Sequence, residues 1–549
     1  MTSVGRAAVL SGVLIAAGTA LGFLRDLAMA HLFGASSSTD AFLVAWTIPE
    51  TVSPLLIEDA MALLMVPVVT RLLARGDGLR PLVGTTLARM LLGLSLVTVT
   101  LVVAAPLVVK VLAPGLTEPG PAVLCVRLTA ITVVTFGLAG FMSATLRAHH
   151  SFGPPAAIYL AYNIGILALI AGLSGLMGIT SAAIGVAGGS ALMVAVQTPA
   201  FLRCLRDAPT PSGSVDVRLG LAAVAPVVVY TVTRQAQVFV ERFFGSGLAD
   251  GSISHLNYAQ KVAQVPMVLS LLIVTVTFPR LARASADGDT TQVARRVQQD
   301  IVVASAMVLA ATAFLVAFAP AVVRVLFQHG EFTAADTRST ASIMRVYALG
   351  LWGQSAVGLA ARAFFAQKRP TWRPAAVLGI GLAVTAAVAG AFAAAAGTLA
   401  LAAANAAGIT LAAVLLLAGL RRGVAPISLR RVGADVSRLV LAAAGACAAG
   451  LLAAGALDAP AAVHLAAGGL VTAVAFGVLL SPWITSAPLG ALVRRGRTES
   501  GDTSEQADRT DTPDRTGAVP CEGTTSHAPR TSRPAGAAGA DVPLGRPLR

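Results

Sequence analysis

Long apolar blocks recur along most of the chain, and short stretches of turn-forming residues separate them. A helix of about 20 apolar residues crosses the ~30 Å hydrocarbon core of a bilayer, so each block predicts a membrane-spanning helix. Sequences such as Ala113-Pro114-Gly115 and Gly153-Pro154-Pro155 mark the breaks. The pattern predicts about fourteen spans, numbered here in chain order, at 7–33, 41–70, 84–112, 122–146, 155–173, 180–202, 219–244, 254–279, 299–326, 338–366, 374–395, 398–419, 437–456 and 462–484.

The composition of the 549-residue chain agrees with this pattern. Hydrophobic residues make up 56% of it and charged residues only 12%, whereas a soluble globular protein has about 25% charged residues. The composition therefore excludes a soluble protein and predicts an all-α polytopic membrane protein. The first apolar run lacks a cleavage site, which favours a first span over a removed signal peptide. The cysteines have no metal-ligand or disulfide-framework spacing, so no metal site is predicted; they are Cys125, Cys204, Cys447 and Cys521.

Two features divide the chain further. Residues 486–549 are rich in Thr, Asp, Arg, Pro, Gly and Ser and lack an apolar period, which predicts a disordered cytoplasmic tail. A weak repeat places Leu32-Phe33-Gly34 before a proline-containing span 2 and Phe243-Phe244-Gly245 before a proline-containing span 8. We therefore predict two pseudo-symmetric six-helix lobes and a pair of appended helices, at 1–203 (spans 1–6), 219–420 (spans 7–12) and 437–485 (spans 13 and 14).

The net charge of +14 is unevenly placed. One set of alternate loops contains arginine or lysine in every loop, and the other set contains acidic residues but no basic ones. Because basic loops stay on the cytoplasmic side, both termini are predicted to be cytoplasmic, in a cell membrane. No basic run is interleaved with aromatic residues, so no nucleic-acid partner is predicted. Membrane lipids are the predicted partners of the basic loops. The basic loops include Arg71, Arg147, Arg203, Arg280, Lys368 and Arg421.

Ionisable residues inside the spans are concentrated in spans 1, 2, 7 and 8. A charge at this depth is costly and usually faces a bundle interior or a wet cavity. Arg25-Asp26 is read either as a pair near the outer interface or as a cavity pair, and Lys261 is predicted to face a cavity. Glu241-Arg242 ends span 7 and is expected at the membrane interface. At least one carboxylate of Glu58-Asp59 is expected to meet water or a cation.

Prolines interrupt two of the same spans. Pro49 and Pro54 lie in span 2 and Pro266 in span 8, and each removes a helix hydrogen bond. Broken helices that line a cavity near the middle of the membrane are typical of transporters. The chain has no P-loop, HExxH or GxSxG motif with triad partners, so we predict a transporter and not an enzyme. No cofactor is expected, and coupling to an ion gradient, to the membrane potential or to substrate flow is left open.

At this point the sequence resembles a known family. Its opening signature is similar to that of the MurJ/MviN lipid II flippases, members of the multidrug/oligosaccharidyl-lipid/polysaccharide exporter superfamily. The matching segments are Leu21-Gly22-Phe23-Leu24-Arg25-Asp26, Leu32-Phe33-Gly34-Ala35, Thr39-Asp40-Ala41-Phe42, Asn257-Tyr258-Ala259, Phe278-Pro279 and Leu326-Phe327-Gln328-His329-Gly330-Glu331-Phe332-Thr333.

The resemblance implies a central cationic cavity between two lobes, formed by spans 1, 2, 7 and 8. There, basic side chains would bind the diphosphate of lipid II or a related polyprenyl-diphosphate glycolipid. Arg25 matches a family arginine, and Lys261 falls where the family usually has arginine. Asp26, Asp40 and Glu58 match family acids. Three positions depart from the family: Thr19 and Ser53 align with family arginines, and Glu50 takes a position that is commonly a polar amide.

Three functions remain open from the sequence. The first is a flippase that moves the undecaprenyl-diphosphate-linked peptidoglycan precursor from the inner to the outer leaflet by alternating access, with the cell-wall synthesis machinery as a candidate partner. The second, favoured by the two missing arginines, is an exporter of another lipid-linked glycan or of a secondary metabolite. The third is a degenerate membrane scaffold that transports nothing. The candidate substrate-binding residues are Arg25, Lys261, Asp26, Asp40, Glu58, Glu50, Ser53 and Thr19.

Overall fold

A computed structural model of the protein describes residues 3–74, 83–206, 221–267, 290–365, 367, 371–423, 426–456 and 460–484, and within these ranges the regular secondary structure is entirely helical. All of them belong to one compact unit, Met1–Gly490. The tail predicted to be disordered, most of the inner half of span 8 and several basic loops lie outside the described residues.

The structure describes seventeen α-helices. In the first half of the chain they are α1 Ser3–Phe33, α2 Ser37–Ser53, α3 Ala60–Ala74, α4 Ala88–Val103, α5 Ala105–Leu112, α6 Pro119–Thr129, α7 Thr132–Ala148, α8 Gly153–Met177 and α9 Thr180–Arg206. In the second half they are α10 Leu221–Gly245, α11 over 252–267, α12 Thr290–Phe327, α13 Ala334–Ala348, α14 Leu351–Phe365, α15 Arg373–Gly423, α16 Leu429–Ala456 and α17 Ala461–Ile484. Two π-helical turns, Pro54–Asp59 and Val83–Leu87, precede α3 and α4.

This architecture confirms the prediction of an all-helical, multi-pass membrane protein. Within the described residues, ten helices are long and apolar enough to cross a membrane. One of them, α15, is interrupted at Gly397, whose φ of +58° suits glycine. The interruption falls at the boundary predicted between spans 11 and 12. Spans 7, 8 and 10 correspond to α10, α11 and the pair α13–α14, which are not among the ten. The total of fourteen spans and the division into lobes stay predictions.

Three prolines inside the helices free a backbone carbonyl four residues earlier, because proline has no N–H to donate. In each case a side chain from another helix supplies the missing donor. The Ala45 carbonyl, four residues before Pro49, accepts from Thr129 Oγ1 at 3.3 Å. The Glu50 carbonyl, four before Pro54, accepts from Gln235 Nε2 at 2.7 Å. The Val316 carbonyl, four before Pro320, accepts from Arg345 Nε at 3.0 Å. Hydrocarbon offers no water to satisfy such groups, so these donors permit the bends.

The donor at Val316 also accounts for one charge inside a span. Arg345 lies in α13 and, through this bond, joins α13 to the kinked part of α12. The kink of α12 is at Phe318, two residues after Val316, where the backbone dihedral angles are non-helical. The structure thus gives Arg345 a packing role.

Small residues let helices approach closely in the N-terminal half. A Cβ added to Gly165 of α8 would lie 2.8 Å from the Cα of Gly189 in α9. A Cβ added to Gly189 would lie 2.5 Å from the Tyr162 carbonyl oxygen. Close backbone approach at small residues is a usual way for helices to associate in membranes. The close contact with α9 fixes the position of α8, which contributes Tyr159 and Asn163 to the candidate binding site.

Candidate binding site between spans 1, 2, 7 and 8

Arg25 forms a buried ion pair with its neighbour in α1. Its Nη2 and Nε atoms lie 2.7 and 3.1 Å from Asp26 Oδ1, and both residues are only 9% exposed. Nη1 donates to Asn163 Oδ1 at 3.3 Å, and the guanidinium lies 4.3 Å from the centroid of the Trp46 ring. All three guanidinium nitrogens therefore have an acceptor, and the group also makes a cation–π contact. The pair predicted from the sequence exists, and it is buried.

Asn163 was not singled out by the sequence. Its amide nitrogen donates to the Gly18 carbonyl of α1 at 3.1 Å and to the Tyr159 carbonyl of its own helix at 3.0 Å. The oxygen of the amide is thereby directed at Arg25. Because α1 and α8 are far apart in the sequence, no local pattern could have predicted this contact.

Lys261 forms an ion pair with Glu50. The Nζ atom of Lys261 in α11 lies 3.1 Å from Glu50 Oε1 in α2. The other carboxylate oxygen, Oε2, lies 4.0 Å from Arg242 Nη2 of α10. Of the two cations predicted from the sequence, Lys261 thus contacts Glu50 directly, while Arg25 is held by Asp26 and Asn163. Arg242 is a second cation beside the Glu50 carboxylate.

Glu241 and Arg242 are enclosed by other helices, being only 3% and 1% exposed. Their expected depth, at the membrane interface, stays a prediction. Arg242 Nη2 lies 3.5 Å from Asn257 Oδ1, and Glu241 Oε1 accepts from Asn405 Nδ2 at 2.6 Å. Both residues are buried because α10 packs against α2 on one side and α15 on the other. Sequence position alone suggested a span end, and only packing revealed the enclosure.

Glu58 and Ser53 meet at a tyrosine. The Tyr159 hydroxyl of α8 donates to Glu58 Oε1 at 2.7 Å and lies 3.1 Å from Ser53 Oγ. Glu58 is exposed and sits in the π-helical turn that follows Pro54. Thr19, another candidate substrate-binding residue, is also exposed. Its hydroxyl donates to the Ile15 carbonyl of its own helix at 3.0 Å. Asp59 lies in the same turn as Glu58, and its side chain is outside the described residues.

Asp40 caps a helix from the other half of the chain. Its Oδ2 accepts from the Gly251 amide at 2.8 Å, and Oδ1 accepts from the Ser254 amide at 2.7 Å and from Ser254 Oγ at 2.5 Å. These amides form the first turn of α11, where a carboxylate is favoured by the free N–H groups and the helix dipole. The carboxylate is buried and fully engaged. Its geometry is that of a contact between helices at one end of the molecule.

Further contacts surround this cap. The Glu331 amide donates to the His31 carbonyl at 2.9 Å, and the Gly115 amide donates to Ser246 Oγ at 3.1 Å. A Cβ on Gly251, whose φ is +82°, would lie 2.6 Å from the Ala35 carbonyl oxygen. All of these residues lie in or beside loops that lack arginine and lysine. The acidic-loop ends of the two halves are therefore in direct contact. We call this set of contacts the outer closure, because the loop charges predict that this end faces outward.

A capping box adds to the outer closure. Thr333 and Asp336 cap α13 reciprocally, and Asp336 Oδ1 lies 2.9 Å from His255 Nε2 of α11. Partial burial opposes the charge of Asp336, but the hydrogen bonds with Thr333 and His255 outweigh it and hold the pKa of Asp336 below its usual value. The carboxylate is therefore charged at neutral pH. It links α13 to the helix that contains Lys261.

The fold identifies the class of protein. Solved structures of MOP superfamily transporters share it: one from Pyrococcus furiosus aligns at a TM-score of 0.56 and 15% identity, over 79% of this chain and 96% of that one. A structure described as lipid II flippase MurJ in an inward closed conformation aligns at a TM-score of 0.72 and 19% identity, over 87% of this chain and 99% of the other. The protein thus has the fold of a polytopic transporter.

The sequence identifies the family. The family described as "Lipid II flippase MurJ" matches residues 29–470, and the chain belongs to it. A relative from Buchnera aphidicola, described as a probable lipid II flippase MurJ, is 25% identical over 358 residues, which is 63% of this chain and 70% of the relative. The resemblance stated from the sequence is confirmed. The comparisons favour the flippase over the other exporter and the scaffold.

Proposed function

We propose that the protein is a flippase that moves lipid II, the undecaprenyl-diphosphate-linked peptidoglycan precursor, from the inner to the outer leaflet of the cell membrane. The observation that supports this most is that two cations, Lys261 and Arg242, lie beside the Glu50 carboxylate inside a bundle of apolar helices in which Arg25 is also buried. Membership of the MurJ family supplies the substrate class.

The headgroup is the obstacle to translocation. A diphosphate and its attached sugars cannot cross hydrocarbon unaided, because burying a charged group without partners is strongly unfavourable. Cations held inside the bundle replace the lost water. Lys261 offers a mobile point charge and Arg25 a fixed planar donor. The polyprenyl tail, being apolar, would remain in lipid while the headgroup passes between the two halves.

Alternating access would open the site first to one side of the membrane and then to the other. The outer closure shields the Glu50 region from the side of the acidic loops, which the positive-inside rule assigns to the outside. Opening the outer closure would expose the same region to the outer leaflet. Both termini would then be cytoplasmic, and the two halves would act as lobes that rock about the site. The energy source would be the membrane potential or an ion gradient.

The decisive experiment is leaflet-resolved accessibility of lipid II in cells depleted of their own flippase and expressing this protein. The wild-type chain should restore lipid II to the outer leaflet, and Lys261→Ala and Arg25→Ala should lower the restored amount at least about tenfold, which is the scale of one lost charge-assisted contact. Arg438→Ala is the matched control, because Arg438 pairs with Asp435 on an exposed helix face. If the wild-type chain leaves lipid II in the inner leaflet, the proposed function is wrong.

A further inference from the structure

Glu50 occupies a position suited to a bound anion. Its Oε1 lies 3.1 Å from Lys261 Nζ and its Oε2 lies 4.0 Å from Arg242 Nη2. A phosphate oxygen bound by a lysine or an arginine lies about 2.7–2.9 Å from the nitrogen, so the lysine contact is close to that range and the arginine contact is longer. The side chain of Glu50 is 16% exposed and that of Lys261 is 24% exposed. The carboxylate and its lysine are thus mostly buried but still partly accessible from outside the protein.

The arrangement is incomplete both in charge and in hydrogen bonds, since one carboxylate faces two cations. Among the described residues, Glu50 Oε2 and the Nε and Nη1 atoms of Arg242 are buried and have no hydrogen-bond partner. A buried donor or acceptor without a partner is costly. The single carboxylate therefore balances one of the two cations, Lys261 and Arg242, and leaves donors of Arg242 without an acceptor. An anion with more oxygen atoms could satisfy the donors that Glu50 leaves free.

The backbone of the same residue is fixed. Pro54 cannot donate to the Glu50 carbonyl, and Gln235 of α10 donates to it instead at 2.7 Å. The Glu50 main chain is thereby tied to the helix that contains Arg242. With the main chain held in this way, rotation about the side-chain bonds is the movement by which the carboxylate would leave the cations. Glu50 is thus placed as a movable anion on a fixed backbone.

We propose that Glu50 is a built-in competing anion, which makes the site selective for headgroups with at least two negative charges and excludes the singly charged phosphodiesters of membrane phospholipids. The inference rests on the proposed function, since it concerns the same cations. A phospholipid phosphate offers one charge, which Glu50 already supplies from within the chain at no cost in association entropy. A diphosphate offers more charge and more acceptor atoms, so it can displace Glu50.

Such selectivity would matter in a bilayer. Anionic phospholipids are present in great excess over any lipid-linked precursor, and cations in an unguarded cavity would attract them. Discrimination between ligands depends on the difference between two affinities, which an internal competitor can raise by weakening the unwanted ligand more. Glu50 would lower affinity for both lipids but would lower it more, in relative terms, for the phospholipid.

The test compares two lipid probes on the purified full-length chain by native mass spectrometry: undecaprenyl diphosphate and phosphatidylglycerol. Glu50→Gln removes the charge and keeps the shape, and it should bind phosphatidylglycerol about tenfold more tightly than the wild type. Binding of undecaprenyl diphosphate should rise by a smaller factor, so the preference for the diphosphate falls. Glu50→Asp keeps the charge and should keep the preference.

Asp435→Asn is the matched control, since it removes a carboxylate from an ion pair, Asp435–Arg438, that lies away from the site. It should leave both affinities unchanged. Each variant is first checked for a single thermal transition. If Glu50→Gln unfolds, the comparison moves to Glu50→Ala, which also removes the charge and should also lower the preference for the diphosphate; an unchanged preference there would contradict the proposal.

The outcomes separate the two ideas. If Lys261→Ala binds undecaprenyl diphosphate as tightly as the wild type, the proposed site is wrong and the function assigned to it fails. If Lys261→Ala weakens binding but Glu50→Gln weakens binding of both lipids or leaves the preference unchanged, the competing-anion proposal alone is wrong. In that case Glu50 only positions Lys261.

Discussion

Arg25 and Lys261 are both cations inside a membrane bundle, but they are held differently. Every nitrogen of Arg25 has an acceptor, and its guanidinium lies over Trp46. Lys261 has one short contact, to Glu50, at the end of a flexible side chain. Arg25 therefore has a fixed orientation, whereas Lys261 can follow a ligand. Asn163 is the residue that determines which way Arg25 points, because it accepts from Nη1 while bonded to two carbonyls.

Asn163→Ala is predicted to lower both stability and transport. Removing the amide leaves the buried Nη1 of Arg25 without its acceptor, which should cost about 1–3 kcal/mol in the free energy of unfolding. Denaturation of the purified protein and outer-leaflet lipid II in cells are the measurements. Thr100→Ala is the control, since that hydroxyl is exposed and bonds only its own helix. Wild-type stability and transport in Asn163→Ala would show that the hydrogen bond from Arg25 to α8 is not required for either property.

At the scale of the helices, the bends at proline depend on donors from elsewhere in the chain. Thr129, Gln235 and Arg345 each satisfy a carbonyl that a proline has freed. The bend after Glu50 matters most for the site, because it continues into the π-helical turn with Glu58. Helix α11 is fixed in a different way, by the Asp40 carboxylate on its first turn. The two helices that hold Glu50 and Lys261 are thus positioned by contacts outside themselves.

Gln235→Ala is predicted to destabilise the protein by about 1–3 kcal/mol, because the Glu50 carbonyl is left without a donor. In a Pro54→Ala background residue 54 regains its N–H, so the same substitution should cost less. A double-mutant cycle measured by denaturation should give a coupling of at least about 0.5 kcal/mol. Thr233→Ala on the same helix is the control, since its hydroxyl bonds only the Val229 carbonyl. Purely additive costs would contradict this account of the bend.

Asp40→Ala is predicted to loosen the first turn of α11. The Gly251 and Ser254 amides lose their acceptor, and a lost N-cap costs about 0.5–2 kcal/mol. Hydrogen exchange of the segment 251–258 should become faster, by mass spectrometry of the intact purified protein. Asp40→Asn, which keeps one acceptor oxygen, should fall between the alanine variant and the wild type. Unchanged exchange in Asp40→Ala would mean that the cap contributes nothing to this end of the helix.

At the scale of the whole molecule, the outer closure joins the two halves of the chain through backbone contacts. Glycine is required where these contacts are closest: a Cβ on Gly34, which has a φ of +60°, would lie 2.7 Å from the Glu331 carbonyl oxygen. Apolar residues are also buried here, since Ile253 packs into the apolar cluster of the first half and Ala30 into that of the second. Opening at this end, which the proposed alternating access would require, breaks these contacts.

Holding the outer closure shut is predicted to stop transport. The backbone of His31 is bonded to that of Glu331, so cysteines at these two positions in a cysteine-free background should form a disulfide. Oxidation should lower outer-leaflet lipid II to the level of cells without the protein, and reduction should restore it. Either single cysteine variant serves as the control. Full transport by the cross-linked protein would rule out opening at this end.

Much of the site could be predicted from residues that stand out locally. Arg25, Asp26, Glu50 and Lys261 are charges within apolar spans, and a charge at that depth needs a partner. Their partners could not be predicted in the same way. Arg242 looked interfacial because it ends its span, and Asn163 is one polar residue in an apolar helix. Both were recognised only when distant helices were brought together.

Consecutive residues are enough to identify the chain as a helical membrane protein of the MurJ family, because hydrophobic length and local motifs are properties of neighbouring positions. The sequence also located the break at Gly397 and the proline-containing spans. The tertiary structure decided how the charges are paired. In the folded chain Glu50 lies between Lys261 and Arg242, and the Asp40 carboxylate accepts hydrogen bonds from the first turn of α11. The physical reason is that the energy of a buried charge depends on neighbours within a few ångströms, and folding alone selects those neighbours.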